Sequence, residues 1–391
     1  MRKAIDFFDE KQATSKNAEV IVIDNHSTDN SVSYLRPLFP WVNFVENDSN
    51  TGYAVANNKG WKMAKGEYIL FLNPDTLIEE DSLWNCASFM EKQSRAGSLG
   101  VHMIDGSGNF LPESKRGFPT PLTALYKLSG LSRLFPHSKH FAAYYSGHLP
   151  ETENNSVDVL SGAFMLVRRS VLLKTGGFDE QFFMYAEDID LSFRIKQEGY
   201  ENYYFAGTTI IHFKGESTKK DIRYVKLFYK AMVLFVKKHY SGASSFLLRI
   251  ILQTSIWLSG SIAAVKQLFS GSSKKPVSSQ RLLIICTIEE EQELMEILKN
   301  YSSLQTITQI EPEKSHSNFY NEHAFDEIIF VAGKLSWSDI INQVILLSNK
   351  IIFRFHATGS NSIISSYSKK SNGEVFTKHE LYGLTTTDQP G

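Results

Sequence analysis

The stretch Leu160–Thr218 reads LSGAFMLVRRSVLLKTGGFDEQFFMYAEDIDLSFRIKQEGYENYYFAGTTIIHFKGEST. An aromatic turn, Phe182-Phe183-Met184-Tyr185, leads into an acidic run, Glu187-Asp188-Ile189-Asp190. An amphipathic segment, Leu191–Glu198, follows, with Leu191, Phe193 and Ile195 as its apolar members and Gly199 as its stop. A β-like run, Thr208–Ile211, then delivers His212 at its end. Acids held among aromatics lose hydration, which lifts their pKa towards the range useful to a general base. A histidine at a strand end suits metal ligation or acid–base work. A second role fits the same acids. Asp188 and Asp190, at the start of a helix, can accept its free N–H groups as caps. From these residues alone both readings stand.

Composition narrows the classes around this stretch. The chain has 391 residues, enough for more than one domain, and a formal net charge of -1, so bulk charge gives no argument for nucleic acid. Its cysteines, Cys86 and Cys286, lie far apart and form no disulfide framework, which fits a reducing, cytoplasmic compartment. The first residues, MRKAIDFFDEKQATSKNAEV, hold no apolar core of a signal peptide.

Upstream, short apolar runs end in turn chemistry. Glu19–Ile23 reads as a buried parallel strand ending at Asp24. A carboxylate at the carboxyl end of such a strand can accept from a base N–H or a ribose hydroxyl, and it can equally close an Asx-turn. Trp41–Val45 reads as a second strand, and Tyr53–Ala64 as a helix carrying Asn57 and Asn58, residues poor for helix propensity. Tyr68–Leu72, YILFL, is the clearest buried strand and must end at Asn73-Pro74, because proline cannot continue a central ladder. Asp75 then stands at a strand end, where carboxylate oxygen suits Mg²⁺ or Mn²⁺. Ile78–Gln93 reads as a helix, Leu99–Ile104 as a strand and Asp105–Gly108 as a hairpin turn. Pro112–Pro150 shows no period and carries Arg116, Lys127, Arg133 and Lys139. A long irregular insert of this kind is usually functional or mobile, and near an active site it would shape the acceptor pocket.

Taken together, Glu19–Tyr240 resembles the family 2 glycosyltransferases of GT-A fold, closest to their bacterial rhamnosyltransferase-like branch. The matching residues are Val22–Asp29, Asn50–Ala54 with Asn57-Asn58, Leu72–Thr76, Ser161–Phe164, Gly177–Glu180, Phe183–Leu191 and His212–Thr218. Each motif is weak alone; their order and spacing carry the resemblance. It implies an inverting transfer of a sugar from a UDP- or dTDP-linked donor to a lipid-linked or saccharide acceptor in cell-surface polysaccharide or glycolipid assembly. It also implies roles. Asp188 would be the catalytic base. Asp24, Asn25, Asn58 and Asn73 would serve the nucleotide or substrate, and Asp179, Glu187 and Asp190 the acceptor or the base. Asp75, the acid retained from an Asp-x-Asp motif, would hold a divalent cation with His212. One departure stands against the match. The family's first β-strand is missing, so the chain reads as N-terminally truncated with an unpaired sheet edge, and a catalytically inactive scaffold is the alternative.

Beyond Tyr240, the apolar run Phe246–Phe269 is interrupted by Arg249 and Gln253 and reads as an interfacial helix, implying peripheral attachment to the inner face of the cell membrane. GSSKKPVSSQ, Gly271–Gln280, is a linker. The strand–helix alternation after Arg281 indicates a small Rossmann-like domain without a glycine fingerprint, with acids where a phosphate would want N–H groups, and hence a regulatory or partner-binding module. The expected layout is a GT-A domain over 1–240, a helical segment and linker over 241–280, the Rossmann-like domain over 281–365 and a disordered tail over 366–391.

Overall fold

The computed structural model describes residues 1–11, 18–213, 222–241, 281–298, 306–312, 325–348, 351–365 and 374–377. The interfacial helix and linker expected between 242 and 280 lie outside the described residues. No described helix is long and apolar enough to cross a membrane.

The strands and helices of the first half alternate in chain order. They are α1 (Arg2–Lys11), β1 (Ile21–Asp24), α2 (Ser31–Leu38), β2 (Asn43–Glu46), α3 (Tyr53–Met63), β3 (Tyr68–Leu72), β4 (Thr76–Ile78), α4 (Ser82–Lys92) and β5 (Ala96–Ile104). Within the insert stand α5 (Pro121–Leu128) and α6 (Leu131–Leu134). Then come β6 (Asn155–Val157), β7 (Phe164–Arg168), α7 (Arg169–Thr175), α8 (Glu187–Gln197), β8 (Glu201–His212) and α9 (Ile222–His239).

β5 is buried almost throughout its length, as a continuous apolar strand covered on both faces must be. It pairs in parallel with β8 and antiparallel with β7, in a mixed sheet of order β3-β7-β5-β8-β4 with β6 added to β8. β1 and β2 form a separate parallel pair. Among the described residues β3 pairs only with β7 and stands at the edge of this sheet.

Three expectations are corrected here. Ile78 closes the short strand β4 instead of opening a helix, and α4 begins at Ser82. β4 pairs antiparallel with β8, Thr76 opposite His212, because Thr-Leu-Ile can bury its apolar side against that strand. Helix α8 begins at Glu187, so the acidic run lies inside its first turn. The tail is not wholly disordered, since Glu374–Thr377 forms a strand antiparallel to Ser362–Ser365. Phe376 is packed there against the core, under the Arg354 guanidinium.

The second sheet, of six strands, is built on β9 (Arg281–Ile285), β10 (Thr306–Ile310), β11 (Glu327–Ala332) and β12 (Ile352–Ala357), extended by antiparallel β13 (Ser362–Ser365) and β14 (Glu374–Thr377). It is not a separate globule. Ile104, Ile211 and Phe213 of the first half share one hydrophobic core with Leu283, Phe330 and Phe355 of the second. The Phe213 and Phe355 rings meet edge to face at 5.5 Å. Glu80, after β4, accepts from the backbone N–H of Trp337 (2.8 Å) and Ser338 (3.1 Å), placing a carboxylate on the positive end of helix Trp337–Leu346. Turn residue Gly108 lies so close to that helix that a Cβ would stand 2.6 Å from the Val344 carbonyl oxygen.

Candidate active site

The end of β8 and the start of β4 build the first half of the site. Their pairing sets His212 Nε2 3.3 Å from Asp75 Oδ1, with both side chains 9% exposed. Neither Asp75 Oδ1 nor His212 Nδ1 has a hydrogen-bond partner. A buried carboxylate oxygen left unpartnered is expensive unless a ligand completes it. The carboxylate oxygen suits Mg²⁺ or Mn²⁺, and the added imidazole nitrogen favours Mn²⁺; such ions take few protein ligands and fill the rest with phosphate oxygens and water. Among the described residues no larger His, Cys, Asp or Glu cluster of metal-binding form is present.

The first turn of α8 supplies the second half. The turn into it runs through Tyr185 (φ 70) and Ala186 (φ 62), left-handed conformations that non-glycine residues adopt only when the surroundings enforce them. Ala186 holds the N-cap position without a side-chain hydrogen bond. The capping reading holds for one of these acids: Asp188 takes a free first-turn N–H with one oxygen and turns the other to different partners, while Asp190 is engaged elsewhere. Asp188 Oδ2 accepts from Arg116 at 2.6 Å and from Gly162 N at 3.2 Å, and its Oδ1 accepts from Ile189 N at 2.8 Å. Glu187 is 7% exposed, and its Oε2 has no partner. Burial and then the neighbouring Asp188 charge push the Glu187 carboxyl well above the usual range, so it holds its proton near neutral pH. The Tyr53 hydroxyl donates to Gly162 O at 2.8 Å. Burial and then the charges of Glu187, Asp188 and Asp75 raise its pKa, which places all three acids around one tyrosine.

The floor below is held by close backbone approach. Gly52 (φ 84) lies against the aromatic turn, where a Cβ would fall 2.5 Å from Phe183 O, and Tyr53 N donates to that same oxygen at 2.8 Å. Asn25 binds this loop from the other side, accepting from Thr51 N and Asn47 and donating to Gly52 O.

Residues 4–176 match the sequence pattern of "Glycosyl transferase family 2". The N-acetylglucosaminyl-diphospho-decaprenol L-rhamnosyltransferase of Mycobacterium tuberculosis is 30% identical over 242 residues, spanning 59% of this chain and 78% of that protein. The chain belongs to glycosyl transferase family 2.

This glycosyltransferase is also 30% identical to rhamnosyltransferase WbbL of Escherichia coli K12 over 167 residues, 42% of the chain and 59% of that protein. The Pyrobaculum calidifontis mannosyltransferase in complex with GDP-Man and Mn²⁺ covers 70% of the chain, and 72% of its own length is covered, at 17% identity and a TM-score of 0.41. At that score the likeness carries no argument here.

Several expected site residues of the glycosyltransferase are committed to the scaffold. Asn58 is buried with its amide saturated. It donates to Phe178 O and Glu180 Oε1, and accepts from Phe178 N and Trp61 Nε1. Asn25 is likewise spent on the Asn50–Gly52 loop, and Asp24 closes a turn on Ser27 N and Oγ. Asn73 fixes the β3 end through its backbone, N–H to Ala163 O. Asp190 is fully buried between Arg194, Lys238 and His239, and Asp179 shares Lys238. Burial raises the Asp190 carboxyl, but the His239 hydrogen bond and the Arg194 and Lys238 charges outweigh it and hold the pKa below the usual range, and the cluster ties α9 to α8. Arg116 and Tyr53 were given no role from the sequence, yet they contact the site most closely. In the second sheet, the N–H groups at the strand ends are taken by the chain's own acids. Thr287 N and Lys334 N donate to Glu290, and Gly359 N donates to Glu293.

Proposed function

We propose that this glycosyltransferase moves a sugar from a UDP- or dTDP-linked donor to a hydroxyl of a lipid-linked or saccharide acceptor, with inversion, at the Asp75–His212–Asp188 centre. The observation that carries this is the pair of unpartnered buried atoms on Asp75 and His212 beside an α8 whose Asp188 turns one oxygen away from the helix end, towards Arg116 and Gly162 N.

Asp188 takes the acceptor hydroxyl proton as that oxygen attacks the anomeric carbon. The bond from that carbon to the diphosphate oxygen breaks, and the nucleoside diphosphate departs with its electron pair. A single carboxylate base suffices, because no covalent intermediate needs a second one. Arg116 and Gly162 N hold the Asp188 oxygen in place. Glu187, protonated, keeps a second negative charge away from the base. Asp75 and His212 would hold a divalent cation, which when bound spreads the charge developing on the leaving diphosphate. Asp24, at the β1 end, lies where open sheets take nucleotides. The relatives' names favour a lipid-linked acceptor, which implies work at a membrane face.

Transfer from a panel of UDP- and dTDP-sugars tests the assignment. Asp188→Asn should lower kcat by about 10²–10⁴-fold with nucleotide binding intact. Full activity in that variant removes Asp188 from the role. Asp75→Ala should abolish Mn²⁺-dependent UDP binding measured by calorimetry. A wild-type chain that binds nucleotide-sugars and transfers none would instead be the inactive scaffold.

A further inference from the structure

Between Glu113 and Glu151 the chain contains no aspartate or glutamate, while Lys115, Arg116, Lys127, Arg133 and Lys139 all fall there. Within this run α5 and α6 form a small helical platform. Thr120 and Thr123 close a capping box at the start of α5, and Phe141 locks the two helices by ring contacts to Tyr126 and Phe135 at 4.9 and 5.3 Å. Apolar side chains stand out from the platform. Leu122 is 54% exposed, Leu125 50%, Leu134 69% and Phe135 46%. Lys127, Arg133 and Lys139 are exposed among them. Single exposed leucines are ordinary; four large apolar groups on two short helices are not.

We propose that the α5–α6 platform is a membrane-docking face that rests on anionic phospholipid. Exposed leucine and phenylalanine between lysines and arginines is the composition of an interfacial helix, whose apolar groups enter the headgroup boundary while the cations meet lipid phosphates. The charge argues for this occupant over a second copy of the chain. A twofold self-contact would set Lys127, Arg133 and Lys139 against the same cations of a second copy. The root of the insert also reaches the centre, since Arg116, five residues before α5, pairs with Asp188. An acceptor hydroxyl at the headgroup level would therefore approach the base from this side. The proposal deepens the lipid-linked acceptor reading and takes its purpose from it, but vesicle binding is read without any transfer.

The test is sedimentation of the full chain with phosphatidylcholine vesicles, with and without phosphatidylglycerol. Two variants are compared, Leu122→Glu/Leu134→Glu and Lys127→Gln/Arg133→Gln/Lys139→Gln. The wild type should bind the anionic vesicles and release them as salt rises. Each variant should lose at least about tenfold in partitioning, with an unchanged thermal melt. Unreduced partitioning in both variants, or no vesicle binding by the wild type, overturns the proposal. So does a wild-type dimer that the Leu122→Glu/Leu134→Glu variant converts to monomer while vesicle binding persists. If no sugar is transferred but the vesicle pattern holds, the catalytic reading fails and this one stands.

Discussion

At the scale of single residues, the Arg116–Asp188 pair decides most. Its partners are 12% and 15% exposed, so neither charge is well hydrated and each depends on the other. Arg116→Ala should therefore cost stability, about 3 kcal/mol, as well as most of the transfer activity. The double variant Arg116→Ala/Asp188→Asn should be more stable than Arg116→Ala alone, because no unpaired carboxylate remains. Denaturant melts of the four proteins in the cycle check this, and simple additivity would refute the coupling. The acids of this centre were legible in sequence because they sit together next to aromatics. Arg116 was not, because its partner lies 72 positions away and the insert has no period to reveal which way a side chain faces. Asn58 was misread for a related reason. A pair of asparagines in a helix signals a special task, but not whether the task is to hold a ligand or to saturate a buried turn.

At the scale of elements, β4 is the piece that brings Asp75 to His212. Three residues beside a helix give too short a pattern to be read as a strand, and only its partner β8 makes it one. Glu79, just after β4, is 8% exposed and accepts from Thr209 N at 3.1 Å. Burial pushes its carboxyl up from 4.5 to about 7, against the pull of that N–H. The folded state thus favours the neutral acid. Its stabilising contribution is complete below the unfolded value and is lost as pH rises through about 7. Glu79→Gln should flatten the fall in melting temperature between about pH 5 and pH 8 by a few degrees. Equal slopes in the two proteins would show that Glu79 does not govern this strand.

At the scale of the whole molecule, the two sheets share a core, although the linker-like composition between them suggested two separable domains. Composition reports how a segment behaves, not what the elements on either side press together. The contact rests on Ile104, Ile211 and Phe213 against the second sheet, with Glu80 on the helix beginning at Trp337. Phe355→Ala, in the middle of that contact, should cost about 3–5 kcal/mol. Calorimetry should then show one transition moved down as a unit. Two transitions, with only one displaced, would mean that the sheets unfold independently.

The shared core also bears on how such a chain can change over evolutionary time. A module joined by a tether can be exchanged by recombination, since each partner keeps its own interior. Here an exchange after residue 241 would strip the cover from Ile104, Ile211 and Phe213 and leave a sticky face beside His212. Descendants of this arrangement should therefore inherit both halves together, altering them by paired substitution across the contact.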